Sequence, residues 1–486
     1  AILPANGAYH LTQALTGGGL FLSRLPDGTR RSRVESSCRA LALLLPLLLP
    51  IACQEAPSLA EDETGLPVAH VELAGEVGPR DVILQSRLVT GERGLDGGVV
   101  GAPGVARFEV SKAPNFGQPL STEWLEAHRE SDFVVKAQVG GLDPGVLYHY
   151  RVVSGPTQEM AEPGPKRRFR TLPGESASVP VSFVVITCMN YELFQHGRTG
   201  ISGLMARLLF GGAGKAYEGP DKARGYPGLE TILGLQPDFV ISNGDNVYYD
   251  HGVVQGVDAP SMRRKWHELF YQPRFAELAA RVPFYWTKDD HDFRFNDADL
   301  TGDRLPSADL GVAVFREQVP VLAPSLQGRP TYRTHRVSRE LQIWLLEGRD
   351  HRSPNRVDDG PQKTLWGREQ LAWLERTLLR SDADFKVLIS PTPLVGPDDR
   401  YKSDNHANVG GFRHEGESFL SWSRGQGLID RGLFGITGDR HWQYHSRHPT
   451  GFEEFSSGAL NDASARRGVR PGSWFSSDRE GRIEQI

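Results

Sequence analysis

The chain has 486 residues, more than one ordinary domain holds, and is 39 % hydrophobic with a net charge of -5. That balance excludes a general polyanion-binding role, so nucleic acid is not the expected partner. Its 54 Gly and 33 Pro favour a loop-rich all-β or α/β protein over a helical bundle.

Residues 1–30 begin with Ala and show no sustained periodicity, so they carry no fold expectation. Arg30, Arg31, Arg33 and Arg39 then precede a Leu- and Ala-rich run, Ala40 to Ala52, broken by Pro46 and Pro50. The run is short of the about 20 residues a membrane span needs and fits the apolar part of a signal peptide. Residues 1–53 are therefore expected to be a leader. Leu49-Pro50-Ile51-Ala52-Cys53 resembles a lipoprotein processing box, departing from it at Pro50, and would make Cys53 a lipid anchor to a membrane. By either route the expected location is exported: periplasmic, cell-surface or extracellular. Cys38 and Cys53 fall with the leader, which leaves Cys188 without an intramolecular disulfide partner, as an inert core thiol or as a ligand.

Residues 54–67 are acidic and polar and read as a tether. From 68 to 173 short alternating runs, among them Val82-Ile83-Leu84 and Phe133 to Val139, are separated by Gly and Pro, the pattern of a β-sandwich. Gly141-Leu142-Asp143-Pro144-Gly145-Val146-Leu147-Tyr148-His149-Tyr150 resembles the tyrosine-corner segment of fibronectin-III-like domains, in which a Tyr hydroxyl pins the chain as it changes sheets. Residues 174–486 follow, where apolar strands alternate with amphipathic helices such as Trp366 to Leu379, the order of a layered α/β unit.

In that unit four apolar runs stop at polar clusters. Val181 to Ile186 ends at Thr187-Cys188-Met189-Asn190, and Phe239 to Ile241 at Gly244-Asp245-Asn246-Val247-Tyr248. Val282 to Trp286 ends before Lys288-Asp289-Asp290-His291-Asp292, and Leu433 to Thr437 before Gly438-Asp439-Arg440-His441. In a mostly parallel sheet the carboxyl ends lie along one rim, so the clusters can meet. Aspartates crowded there repel and raise one another's pKa unless a cation compensates, which points to a multivalent metal.

These clusters resemble the motifs of the PhoD-type (alkaline phosphatase D) metallophosphatases, a family related in architecture to purple acid phosphatases. Gly244 to Tyr248, Asp289 to Asp292 and Gly438 to His441 match closely, as do Trp366 to Leu374 and Lys386 to Pro391; Thr187 stands where the family has Ser before the Cys. The resemblance implies a two-sheet αββα metallophosphatase sandwich behind a small Ig/fibronectin-III-like β-sandwich. It implies a secreted enzyme that hydrolyses phosphate monoesters or diesters by metal-assisted in-line attack without a phosphoenzyme. Cys188 and Tyr248 would bind Fe3+, Asp245 would bridge it to a Ca2+-type site, and Asp290 and Asp439 would complete the ligands. His291 and His441 would stabilise developing charge or manage the leaving-group proton, and Arg349, Arg352, His406 and Asp289 are weaker candidates for holding substrate. A degenerate, non-catalytic calcium- or ligand-binding surface protein is the alternative. The family pattern continues past Glu454 to Gly458 into further strands, so the catalytic unit is expected to be truncated at Ile486.

Overall fold

A computed structural model describes residues 9–13, 20–24, 67–93, 98–198 and 214–486. Cys38 and Cys53, the Leu-rich run and most of the tether lie outside them. The strands Tyr9–Gln13 and Leu20–Arg24, which fall within the expected leader 1–53, pair with each other, and the second lies antiparallel to Phe183–Ile186.

The α/β unit is built on two sheets packed face to face. In the first, Phe183–Ile186, Phe239–Asn243 and Phe284–Thr287 run parallel. In the second, Leu341–Leu345, Phe385–Ser390, Leu433–Thr437 and Glu453–Ser457 run parallel, with Arg333–Arg336 and Gln443–Arg447 antiparallel at its flanks. Strand side chains alternate between faces, and both faces of these strands are apolar because both are covered. Val185, Ile241 and Tyr285 of one sheet meet Ile343, Ile389 and Ile436 of the other in the inner core. On the outer face of the first sheet Val184, Val240 and Trp286 pack with Trp266, Phe275 and Phe315 from the helices Ala259–Phe270, Pro273–Ala279 and Ala308–Gln318. On that of the second, Trp344 and Leu388 pack with Leu374 and Leu378 of Arg368–Arg380 and with Phe419 and Leu420 of Arg413–Gly425. The order helix, sheet, sheet, helix is the expected sandwich. Near the end of the chain, Glu484–Gln485 pairs antiparallel with Gln443–Arg447.

Ahead of it stands the β-sandwich, with Val82–Arg93 paired to Val134–Val139 in one sheet and Gly104–Ser111 paired to Leu147–Gly155 in the other. Leu84, Phe108, Val135 and Tyr150 lie in its own core. The amide of Asp143 donates to the Tyr148 hydroxyl at 2.9 Å, and Tyr150 donates to the carbonyl of Glu72 at 3.1 Å, so phenols do pin this corner.

The two units are joined more tightly than a linker suggests. Val68–Gly75 pairs in parallel with Phe284–Thr287 at Gly75 and Phe284, so the first α/β sheet continues into the sandwich, nine strands among the described residues. Lys136 donates to the carbonyls of Arg316 and Val319 at 2.8 and 2.7 Å, where the helix Ala308–Gln318 leaves carbonyls without helical partners. Asp132 stands 2.6 Å from His267 and accepts from Gln318 at 3.0 Å. No helix among the described residues is long and apolar enough to cross a membrane.

Candidate metal centre

Parallel strands in both sheets deliver their carboxyl ends to one rim, and the two sheets nearly touch there. Asn243 donates from its side chain to the carbonyl of Ser390 at 2.8 Å across the gap. A Cβ on Gly438 would stand 2.5 Å from the carbonyl oxygen of Asn243 and 2.8 Å from that of Pro391, so only glycine allows this approach. Just past the strand ends the backbone turns sharply. Cys188, Asp245 and Asp439 all take left-handed conformations, with φ of 56°, 54° and 60°. Each such turn is strained, and a framework that holds three at one point is typical of functional sites.

The turns aim side chains at one another. Cys188 Sγ lies 3.5 Å from Asp245 Oδ2, and the Tyr248 hydroxyl donates to the same oxygen at 2.9 Å. That hydroxyl also lies 3.4 Å from His441 Nε2. His441 Nδ1 donates to the carbonyl of Ser464 at 2.6 Å, which leaves Nε2 of the neutral ring with its lone pair toward the cluster. His291 stacks on the Tyr248 ring at 4.1 Å, and its Nδ1 stands 2.6 Å from Asp250 Oδ1. Three overlapping groups have ligand atoms within 4.8 Å of one another: Cys188, Asp245 and His441; Asp245, Asp290 and His291; Asp289, Asp290 and Asp439. Asp245 belongs to the first two and Asp290 to the last two.

Charge at this point is out of balance. Burial pushes the Asp245 carboxyl well up, Asp290, Asp292 and Asp439 adding to the rise against the opposing pull of His291. Burial, then the Asp245 charge, pushes the Cys188 thiol up, and burial raises Tyr248 likewise. Burial holds His441 at about 3, with Arg466 and Arg440 helping against the Ser464 hydrogen bond. Burial alone would also lower His291, but Asp290, Asp245 and Asp250 outweigh it and bring it to about 10. Asp245 Oδ1, Asp289 Oδ2, Asp290 Oδ1 and Asp439 Oδ2 are buried without a hydrogen-bond partner. Orphaned buried carboxylate oxygens converging on one point are costly alone and fit a multivalent cation.

The structure brings together Cys188, Asp245, Tyr248, Asp289, Asp290, His291, Asp439 and His441. It places the weaker candidates differently. Arg349 is fully buried, donates from Nε to Asp289 Oδ1 at 2.6 Å and pairs with Asp290 and Asp404 at 3.7 and 3.5 Å. Arg352 is buried over the Phe412 ring and donates to the carbonyl of Asp404. Arg349 thus braces the carboxylate cluster from inside the protein, whereas buried Arg352 keeps Nε and one terminal nitrogen without a hydrogen-bond partner. His406 is a correction: it is turned away, 2.9 Å from Glu415 and packed on Trp366, and the same loop presents Asp404 instead. Asp404 groups with Asp290 and Asp297, and with Asp250 it was missed in the sequence. The signal for Asp250 was its place two residues beyond Tyr248; nothing local marked Asp404 over its neighbours.

A two-sheet α/β sandwich with this rim has the fold of a metallophosphatase. It resembles a solved structure of PhoD, with TM-score 0.64 and 19 % identity over 81 % of this chain and 77 % of that one. It also resembles purple acid phosphatase PPD1 from yellow lupin (Lupinus luteus) seeds, with TM-score 0.54 and 12 % identity over 84 % and 68 %. The family pattern of the PhoD-like phosphatases matches residues 183–473, and that of their N-terminal domain matches residues 53–173. The chain belongs to the PhoD-like phosphatase family. It is 23 % identical over 417 residues to alkaline phosphatase D of Bacillus subtilis (strain 168), a match that covers 77 % of this chain and spans 64 % of that relative's length.

Proposed function

We propose that the protein is a metal-dependent hydrolase of phosphate esters, exported from the cytoplasm by the Leu-rich leader and lipid-anchored through Cys53. The observation that carries the catalytic reading is the set of buried, unpartnered oxygens of Asp245, Asp289, Asp290 and Asp439 beside the Cys188 thiol and the Tyr248 phenol. Thiolate and phenolate are strong anionic donors that suit Fe3+, whereas a carboxylate-only set suits Ca2+. Cys188, Tyr248 and Asp245 would hold the first ion, with His441 Nε2 in reach. Asp245, Asp289, Asp290 and Asp439 would hold the second. Bound there, the cations would supply Lewis acidity toward phosphoryl oxygens and acidify water.

The chain's own groups divide the remaining work. His291 is held through Nδ1 by Asp250 and in its protonated form would offer Nε2–H to a phosphoryl oxygen. His441, locked by the Ser464 carbonyl and neutral, serves as a ligand or proton acceptor and is no charge donor. Arg349 fixes Asp289 and keeps uncompensated negative charge off the approaching phosphate. Monoester and diester hydrolysis both fit these groups.

The test pairs metal analysis of the purified protein with turnover of aryl phosphate mono- and diesters. Iron, calcium and chelator-sensitive turnover are expected. A metal-free protein with no turnover on either ester would leave the non-catalytic surface protein as the reading.

A further inference from the structure

Beside the proposed centre lies a second all-carboxylate group, Asp290, Asp297 and Asp404, with ligand atoms within 4.8 Å of one another. Asp404 is buried, and neither of its carboxylate oxygens has a hydrogen-bond partner. Asp290 accepts the amide of Asp297, itself in a left-handed turn with φ of 56°. Three carboxylates so arranged have the form of a hard-cation pocket. The pocket nevertheless receives a charge from the chain: Lys402 pairs its ammonium with Asp297 and reaches Asp404 Oδ1 at 3.7 Å. Arg349 faces Asp404 from the other side at 3.5 Å.

We propose that Lys402 is a built-in counter-cation that occupies the Asp290, Asp297 and Asp404 pocket and closes it to divalent metal. The inference rests on the metal-centre reading above and adds a limit to it. An ion pair on the surface would carry no such meaning, being screened and weak. Here the lysine side chain is 18 % exposed between Asp297 at 34 % and Asp404 at 1 %, so one of its two partner charges is buried. A tethered ammonium carries one charge and cannot bridge carboxylates as a divalent ion does. It therefore pairs with the outer carboxylates and leaves Asp290 to face Asp245, Asp289 and Asp439. The metal count is thereby confined to the positions that Cys188, Tyr248 and those four aspartates define.

The consequence is a change in stoichiometry on removing one charge. The parent, Lys402→Met and Lys402→Arg are each equilibrated with Ca2+, passed through gel filtration and analysed for calcium and iron per chain. Lys402→Met is expected to gain about one calcium, which the vacated carboxylates then hold, while Lys402→Arg keeps the parent's count. Adding Asp297→Asn to Lys402→Met should abolish the gain. Equal, non-zero calcium in the parent and in Lys402→Met would overturn this inference and leave the centre intact. A parent without metal would overturn both. If Lys402→Met does not fold, Asp297→Asn in the parent decides: an unchanged calcium count supports the inference, and loss of about one calcium shows that the pocket was already a metal site.

Discussion

Asp250 Oδ1 stands 2.6 Å from His291 Nδ1, and the second oxygen of Asp250 accepts the amide of Asn296 at 3.0 Å. The carboxylate is thus fixed on one side by backbone and fixes the imidazole on the other, against the stacked face of Tyr248. Replacing Asp250 with Ala should lower kcat by about 10–100-fold, the usual scale for removing the partner that orients a site histidine. Asp250→Asn keeps an acceptor oxygen and should lose less. Steady-state kinetics on an aryl phosphate checks this, and an unchanged kcat in Asp250→Ala would show that His291 needs no such support.

The Cys188 thiol is buried, yet it faces Asp245 and Tyr248 and not aliphatic neighbours alone. Cys188→Ala should abolish iron binding and turnover while costing only about 1 kcal/mol of stability, the scale of a small buried deletion. Tyr248→Phe should remove any tyrosinate-to-iron absorption and leave the fold unchanged by circular dichroism. A Cys188→Ala protein with full turnover would assign the thiol to packing.

Gly244 and Gly438 hold the strand ends together from opposite sheets. A Cβ on Gly244 would come within 2.8 Å of the Asp289 Cβ, at a φ of 77°. Gly244→Ala and Gly438→Ala should each destabilise by about 1–3 kcal/mol through overpacking. Because the displaced groups adjoin Asp289 and Asp439, bound metal should fall in both variants while a folded protein is retained. Thermal unfolding alongside metal analysis separates the two effects.

Asp132 supplies a pH test away from the centre. Burial resists its charged form, but the His267 and Gln318 hydrogen bonds and the Arg87 charge outweigh it and hold the carboxyl below its ordinary value. A depressed folded pKa means that the unfolded chain binds more protons in that range. The carboxylate therefore stabilises fully above about pH 4 and less as pH falls through its folded value. Asp132→Asn should cost about 1–3 kcal/mol at pH 7, with the difference from the parent shrinking below pH 4. Denaturant unfolding at pH 7 and pH 3.5 reads it, and a constant difference would exclude the carboxylate charge as the cause.

Much of the centre was legible because its residues follow directly on apolar strand runs. Asp245, Asp290 and Asp439 each sit within a few residues of a buried strand end, and the parallel sheet does the rest. The helix Arg368–Arg380 was equally plain from its apolar spacing. What failed depended on loops. Asp404 and His406 are neighbours on the same turn, and which one faces the centre is set by Glu415 capturing the histidine from the helix that follows. Arg349 read as a candidate for holding substrate, because burial of a guanidinium requires several carboxylates from other segments, and no local pattern announces them. The continuation of the sheet into the sandwich depends on one pair, Gly75 and Phe284, which no periodicity reveals.

That last pairing changes what the β-sandwich is for. Phe284–Thr287 would otherwise end its sheet with a row of unsatisfied amides and carbonyls, the template on which chains stack into aggregates. Val68–Gly75 covers the start of that row, and a Cβ on Gly75 would stand 2.5 Å from Pro320 Cγ, so the cover fits closely. The small unit thus shields the beginning of an edge that the larger one would otherwise expose. Excising it as a dispensable appendage should raise the larger unit's tendency to aggregate, whatever became of the metals.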